Sequence, residues 1–446
     1  MNDVAIRGPL KATRPPGPLG GSVRVPGDKS ISHRALMIGA LAIGETRISG
    51  LLEGADVLAT AAAMRALGAE IRHEDGFWLV SGRGVGGLAE PADVLDMGNS
   101  GTGARLLSGI LASHPIFSVL TGDASLRARP MRRVIEPLEA CGAHFTARAG
   151  GLLPMAIEGT ADALPLSYRL PVPSAQVKSA VLFAGLNARG QTEVEEPAPT
   201  RDHTENLLRH FGAEVSVEKV GRGRLIHLTG QPELTAVDVT VPADPSSAAF
   251  PLVAAVLVPD SEIRLQDVGL NPLRTGLLAT LEEMGAAITI ENRRLESGEP
   301  IGDLVVRHGP LSAVEVPAER APTMIDEYPI LAVAAAFAAG TSRLCGLGEL
   351  RVKESDRLTA TWRMLTDNGI GAEITGETLV IHGTAARPRG GARIATAMDH
   401  RMAMSALVLG LASEEPVAVD DARFIDTSFP GFVSQMATLG ARFERL

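Results

Sequence analysis

Glycine followed by alanine recurs along this chain at a nearly constant spacing, and that periodicity constrains the fold more than any single motif. The pairs begin at Gly68 (RALGAEI), Gly142 (EACGAHF), Gly212 (RHFGAEV), Gly285 (LEEMGAAI), Gly371 (NGIGAEI) and Gly440 (TLGARF), at intervals of 74, 70, 73, 86 and 69 residues. Each follows an amphipathic run and precedes an alternating one, so each glycine is expected at the C′ position that ends a helix before a strand. A second series lies between them: Ser30, Thr102, Ser174, Ser246, Asp326 and His400, each polar or charged just before an apolar helix, at intervals of 72, 72, 72, 80 and 74. Two signals with one period predict six copies of a unit of about 70 residues. Each unit should hold one buried helix, one amphipathic helix and several short strands. The period is too long for a common solenoid, so a closed arrangement of the six units is expected.

At 446 residues the chain suits two domains. Two Pro-rich stretches, Arg14 to Gly27 and Val241 to Ser247, look like hinges, with three repeats between them and three after. This gives one domain of about 25–241 and another assembled from 1–24 plus 242–446; Pro-rich turns inside a single domain are the alternative. Hydrophobic content of 45% with 48 glycines fits a compact α/β protein rich in turns. A net charge of −10 argues against generic nucleic-acid binding, and 3% aromatic residues against base-stacking platforms. Cys141 and Cys345 form neither a disulfide framework nor a metal spacing, which points to a reducing compartment. The N-terminus has no apolar h-region, and the longest apolar runs (330–339 and 402–412) are too short to span a bilayer. A soluble cytoplasmic protein is expected.

The stretch RVPGDKSISHRALMIGAL (Arg24 to Leu41) places Lys29, Ser30 and Arg34 at the start of an apolar helix. Unpaired N–H groups, the helix dipole, two cations and two hydroxyls suit a phosphate or carboxylate there. A capped buried helix with two solvated charges is the bland alternative. In MGNSGTGARLLSGIL, glycines 98, 101 and 103 allow close backbone approach, Thr102 can cap and Arg105 adds charge; no G-K-[ST] ending makes it a Walker A loop. Arg127 and Arg129 precede Pro130. Ser174 and Gln176 open another apolar helix with Lys178 close behind, and Arg201 stands in TRDHTENLL. In the second half, Asp326 and Glu327 abut a strongly apolar run, as helix cap or general base. RVKESDR places Lys353 and Arg357 on one helical face with Glu354 between them, and Asp399, His400 and Arg401 precede the last buried helix. All these stations share a phase within the repeat. If the six helices converge, Lys29, Arg34, Arg105, Arg129, Lys353, Arg357 and Arg401 gather in one cleft of an acidic protein. That implies small ligands with several negative charges. Asp326 and Glu354 are then the acid/base candidates, and no metal set stands out among the scattered histidines.

PGDKSISHRAL, GNSGTGAR, SAQVKSA, RVKESDR and DHRMAM occur in an order and at spacings that resemble the 3-phosphoshikimate 1-carboxyvinyltransferase (EPSP synthase) family over essentially the whole chain. SAQVKSA and TRDHTE look like the bacterial subgroup that includes the glyphosate-tolerant enzymes. The resemblance implies an inside-out α/β barrel in two domains of three βαβαββ units each. It also implies transfer of the enolpyruvyl group of phosphoenolpyruvate to the 5-hydroxyl of shikimate 3-phosphate, with release of phosphate, as a step in aromatic amino acid biosynthesis. Carried over, Lys29, Ser30, Arg34, Ser174, Ala175, Gln176, Arg201, Asp326 and Lys353 look like contacts for shikimate 3-phosphate. Lys29, Gly101, Arg129, Gln176, Arg357 and Arg401 look like contacts for phosphoenolpyruvate. Asp326 resembles the base for the hydroxyl proton and Glu354 the acid for the methylene carbon, with Lys29 and Lys353 beside them. No metal or organic cofactor is implied, nor a nucleic-acid or membrane partner, and a monomer is the default. Thr427 stands where some members carry a lysine, Gly101 where certain tolerant enzymes have alanine, and Leu106 where sensitive members have proline. The alternatives are the sister transferase acting on UDP-N-acetylglucosamine, whose loop cysteine neither Cys141 nor Cys345 resembles, and a non-catalytic binder of phosphorylated metabolites.

Overall fold

Helices in this chain come in alternating kinds, one apolar on nearly every face and one amphipathic. The computed structural model describes residues 8–446; the first seven residues of the expected 1–24 segment lie outside the described residues. In chain order the helices are α1 (Lys29–Leu41), α2 (Ala55–Ala66), α3 (Gly101–Ala112), α4 (Arg132–Glu139), α5 (Ala175–Gly185), α6 (His203–His210), α7 (Pro245–Leu257), α8 (Gly276–Glu283), α9 (Tyr328–Ala336), α10 (Arg357–Asp367), α11 (His400–Ala412) and α12 (Phe432–Thr438). Every residue of α9 and α11 is buried, as a helix without a polar face must be.

Oxygen-bearing side chains set where these buried helices start. Asp28 accepts from the Ile31 N–H, Ser100 from Gly103, Ser174 from Val177, Asp244 from Ser246 and Asp399 from Arg401. The observed caps therefore correct the expected phase marks. Ser30, Thr102 and Ser246 lie inside the first turn, two residues past their caps, and Ser100 rather than Thr102 caps α3. A cap must keep a non-helical backbone while its oxygen reaches a following N–H, which the earlier residue does in each case. At the C-terminal ends, Gly68, Gly142, Gly212, Gly285 and Gly440 all have φ between 94° and 107°. In the fifth repeat Gly369 takes the left-handed turn (φ 80°) and Gly371 instead opens a strand. Gly369 directly follows the helix's final cap residue, Asn368, where positive φ is needed.

Each repeat closes with a four-stranded sheet of one pattern: a short parallel edge strand, then two antiparallel pairings. In one unit Val239–Thr240 runs parallel to Glu45–Ser49, which pairs antiparallel with Phe77–Ser81, itself paired with Glu70–Glu74. Leu95–Asp96 with Phe117–Thr121, Leu152–Glu158 and His144–Arg148, and Ser167–Arg169 with Gln191–Glu196, Gly223–Thr229 and Val215–Val220, repeat it. In the other unit the N-terminal segment supplies strands to two sheets. Gly20–Val23 is the parallel edge of the sheet holding Glu262–Gly269, and Leu10–Thr13 sits between Val417–Val419 and Arg442–Arg445. Glu315–Val316, Ala339–Leu344, Thr378–Thr384 and Gly371–Thr375 form the remaining sheet.

The chain divides into a unit of residues 27–241 with 296–299 and a unit of residues 242–295 and 300–446 with the described part of the N-terminal segment, 8–26. Each unit has its own apolar core. In the second, α7, α9 and α11 pack on one another; in the first, α3 packs on α1 and α5. Strands such as Glu45–Ser49 alternate exposed and buried positions, so the sheets turn one face to water and the other to the helices. Helices inside and sheets outside is the expected inside-out α/β arrangement. Among the described residues no helix is long and apolar enough to cross a membrane.

Candidate functional site

In the 27–241 unit the site is built on the starts of α1, α3 and α5. Lys29 opens α1 with Nζ 3.2 Å from Asp56 Oδ2 on α2. Ser30 follows in the first turn, and Arg34 one turn on is buried. Its Nε donates to Thr204 Oγ1 at 2.7 Å, Nη2 to Ser179 Oγ at 2.7 Å and Nη1 to the Ser30 carbonyl at 2.8 Å. All three acceptors are neutral. Burial draws the Arg34 guanidinium down to about 10 against the pull of Glu205 and Asp28, so it is still a cation at neutral pH.

Buried His33 joins α1 to the start of α3: Nδ1 lies 2.8 Å from Thr60 Oγ1 and Nε2 3.4 Å from Ser100 Oγ. Burial, helped by Lys29 and Arg34, pushes its imidazole down to about 3. The folded chain then binds this proton less readily than the unfolded one. The stability it carries is complete above pH 6.5 and is lost as pH falls toward 3, at about 1.4 kcal/mol per unit. Between pH 7 and 5 the wild type should lose about 2 kcal/mol of unfolding free energy from this group. Urea titrations should show His33→Asn free of that loss; equal losses in both proteins would refute it.

Arg105 Nη1 donates to Gln176 Oε1 at 2.9 Å, and Gln176 Nε2 donates to Thr102 Oγ1 at 3.0 Å, tying α3 to α5. Arg129 Nη2 donates to Asn99 Oδ1 at 2.6 Å and Ser125 Oγ at 3.0 Å. A methyl on Gly101 would lie 3.1 Å from both Arg105 Nη1 and Arg129 Nη1, so two guanidinium tips flank this backbone. Ser174 caps α5, Ala175 is its first residue, and half-buried Arg201 precedes α6.

In the other unit Arg357 is the centre, its side chain 1% exposed. Nε lies 2.8 Å from Asp399 Oδ2, Nη1 3.1 Å from Asp326 Oδ1 and Nη2 2.6 Å from Glu354 Oε2. Lys353 Nζ is 3.3 Å from the same Asp326 oxygen. Burial works against the guanidinium, but Asp399, Glu354 and Asp326 outweigh it and hold its pKa above the ordinary arginine value. Burial likewise opposes the Asp399 carboxylate, and Arg357 and His400 hold it below its usual range. Arg401 Nη1 donates to the Asp326 carbonyl at 3.1 Å and lies 3.3 Å from Glu327 Oε1. Glu327 accepts from Ser246 Oγ, whose oxygen accepts from Arg274 Nη2 at 2.8 Å. Ala397 and Met398 precede Asp399 with φ of 51° and 61°. Left-handed backbone without glycine costs about 1–3 kcal/mol per residue, so strain is stored where Asp399 meets Arg357.

Lys29, Ser30, Arg34, Gly101, Arg129, Ser174, Ala175, Gln176 and Arg201 thus stand in one unit, and Asp326, Lys353, Glu354, Arg357 and Arg401 in the other. Lys353 and Arg357 do not share a helical face as expected. Lys353 ends the short 3₁₀ turn Gly348–Val352 and Arg357 begins α10 after Asp356 caps it, so non-helical residues separate them. Thr427 donates to the Phe424 carbonyl at 2.6 Å, and Leu106 is buried in α3. Asp56, Thr204, Asn99 and Arg274 also stand among these groups, and no local signal in the sequence singles them out. Asp28 was legible as an N-cap before an apolar run. Among the described residues no group of three or more His, Cys, Asp or Glu could hold a metal ion.

The fold is that of the enolpyruvyl transferases: the enolpyruvyl transferase NikO from Streptomyces tendae matches it with a TM-score of 0.76 at 19% identity, covering 99% of both chains. That likeness establishes the fold alone. The family model of EPSP synthase (3-phosphoshikimate 1-carboxyvinyltransferase) matches residues 13–436, and the chain belongs to that family. A 3-phosphoshikimate 1-carboxyvinyltransferase of Granulibacter bethesdensis is 70% identical over 95% of this chain and 94% of its own. Another, from Acidiphilium cryptum, is 68% identical over 98% of each. The EPSP synthase structure from Acinetobacter baumannii superimposes with a TM-score of 0.88 at 41% identity, covering 98% of this chain and all of that one.

Proposed function

We propose that this chain transfers the enolpyruvyl group of phosphoenolpyruvate to the 5-hydroxyl of shikimate 3-phosphate, giving 5-enolpyruvylshikimate 3-phosphate and phosphate. The observation that carries the reading is Asp326, a carboxylate set within reach of Lys353 and Arg357 beside a second carboxylate, Glu354. A binder of anions gains nothing from carboxylates among its cations, whereas proton transfer requires them.

The Glu354 acid protonates the C3 methylene of phosphoenolpyruvate, leaving a cationic C2. The shikimate oxygen attacks C2 as Asp326 takes the hydroxyl proton. The tetrahedral adduct then returns a C3 proton to the Glu354 carboxylate, regenerating the acid, and the C2–O bond to phosphate breaks with its electron pair. Lys29, Gly101, Arg129, Gln176, Arg357 and Arg401 bind phosphoenolpyruvate, and the cations stabilise the departing phosphate. Lys29, Ser30, Arg34, Ser174, Ala175, Gln176, Arg201, Asp326 and Lys353 bind shikimate 3-phosphate. The division at 25–241 against 1–24 plus 242–446 belongs to the same proposal, as does action in the cytoplasm as a monomer without nucleic-acid or membrane partner. The net charge of −10 supports the absence of a nucleic-acid partner.

Phosphate release from phosphoenolpyruvate tests the reading. Release should require shikimate 3-phosphate and collapse in Asp326→Ala. Release driven by UDP-N-acetylglucosamine instead would move the assignment to the sister transferases. No release with either acceptor, despite binding, would leave a non-catalytic binder.

The chain also belongs, in this proposal, with the bacterial subgroup that includes glyphosate-tolerant members, yet Gly101 makes it more sensitive than those carrying alanine, while Leu106, in place of the proline of sensitive members, pulls the other way. A methyl there presses on the Arg105 and Arg129 tips and crowds glyphosate more than the shorter phosphoenolpyruvate. Gly101→Ala should raise the half-inhibitory glyphosate concentration at least tenfold with a smaller rise in KM for phosphoenolpyruvate. Equal inhibition of both proteins would refute it.

A further inference from the structure

A lysine with no exposed surface lies between two carboxylates behind Arg34, and no step of the proposed reaction uses it. Lys178 on α5 has Nζ 2.8 Å from Glu205 Oε1 on α6 and 3.1 Å from Glu196 Oε2 at the end of the strand Gln191–Glu196. The three side chains are 0%, 1% and 0% exposed respectively. Nζ also donates to the Thr200 carbonyl at 3.3 Å. Glu196 Oε2 in turn accepts from the Thr200 N–H and hydroxyl at 3.2 and 2.7 Å. Glu196 Oε1 and Glu205 Oε2 are buried with no hydrogen-bond donor among the described residues. Lys178 is therefore ion-paired to both buried carboxylates, a balance that collapses if the cation is removed.

The segment pinned by this triad, 197–204, carries Arg201 and Thr204. Thr204 Oγ1 accepts from Arg34 Nε and exchanges a second hydrogen bond with Ser179 Oγ at 2.7 Å, and Ser179 accepts from Arg34 Nη2. Arg34 rests on neutral oxygens alone, which leaves its charge for an incoming anion, while Glu205 stays engaged with Lys178. Glu205 still acts on Arg34 through space, second only to burial among the influences on the guanidinium.

We propose that Lys178, through Glu196 and Glu205, is a positioning residue for Arg34 and Arg201, two cations assigned to shikimate 3-phosphate: it holds the segment that aims them and keeps Glu205 from neutralising Arg34. This rests on the assignment of Arg34 and Arg201 to shikimate 3-phosphate. Lys178→Met keeps the stem but leaves two unbalanced carboxylates. Lys178→Met with Glu205→Gln restores the buried net charge to that of the wild type.

Initial rates with each substrate varied in turn, on variants whose fold is verified by circular dichroism, separate the possibilities. Lys178→Met should raise KM for shikimate 3-phosphate at least tenfold, with KM for phosphoenolpyruvate and kcat within threefold. The double variant should recover to within threefold of wild type in every constant. Two purely structural lesions would instead compound. Thr204→Val, which preserves shape and charge, should raise the same single KM, and it decides the matter if Lys178→Met does not fold. An unchanged KM for shikimate 3-phosphate in Thr204→Val, equal rises for both substrates in Lys178→Met, or a double variant worse than the single would overturn the proposal. Failure of the underlying functional reading shows separately, as wild-type protein that releases no phosphate with shikimate 3-phosphate present.

Discussion

Asp326→Ala is expected to lower kcat by about 10³-fold while leaving the protein folded, because a positioned proton acceptor is worth about 10²–10⁴ in rate. Its Oδ1 meets Lys353 and Arg357, yet neither cation depends on it for a place in the fold. Arg357 keeps Asp399 and Glu354, and Lys353 is partly exposed, 27% by side chain. The melting temperature should therefore move by only a few degrees. Asp326→Asn preserves the shape and should be nearly as slow, since the amide cannot take a proton. Pre-steady-state and steady-state rates beside a thermal melt make the comparison; a variant keeping more than a tenth of wild-type kcat would remove Asp326 as the base.

Arg357→Met should be the most damaging single change to stability in this region, at about 3–5 kcal/mol, the range for stripping a cation from a buried ion pair. Asp399 is wholly buried and would keep the pull of His400 and, among the described residues, hydrogen bonds from Ser355 Oγ at 3.0 Å and the Arg401 N–H at 3.0 Å. Because Arg357 and His400 outweigh burial, Asp399 binds its proton more weakly folded than unfolded. The ion pair's contribution is thus fully present above the ordinary carboxylate value of 3.8 and is lost as pH falls below it. The gap in melting temperature between wild type and Arg357→Met should be widest near pH 7 and close as the buffer drops below about pH 4. A gap that does not change with pH would show that packing rather than charge held the site. Phosphate release should also fail to saturate with phosphoenolpyruvate in this variant.

The fold was legible because its signals are local. A glycine after an amphipathic run favours a helix end through its own backbone freedom, and a helix apolar on all faces, such as Met402 to Ala412, must be buried. Where two local candidates compete, the sequence alone misplaces the boundary by two residues. Gly369 and Gly371 both stand at the end of an amphipathic run, and Asp28 and Ser30 both offer a capping oxygen; only Gly369 takes positive φ and only Asp28 accepts the first-turn N–H.

By itself the sequence determined six repeats, a mixed α/β architecture, the family, and which residue types gather at helix starts. It could not determine what those residues touch. Arg357 finds Asp399 at a separation of 42 residues and Arg34 finds Thr204 at 170, and no periodicity links either pair. Spacing of three or four residues predicts neighbours only within one helix, and RVKESDR shows the limit, since a 3₁₀ turn ends before the next helix begins. Only the tertiary structure decided that Arg34 rests on neutral oxygens while Arg357 is held by three carboxylates. Burial and partner choice arise when distant segments pack together and each buried charge must be balanced by whatever that packing brings within reach.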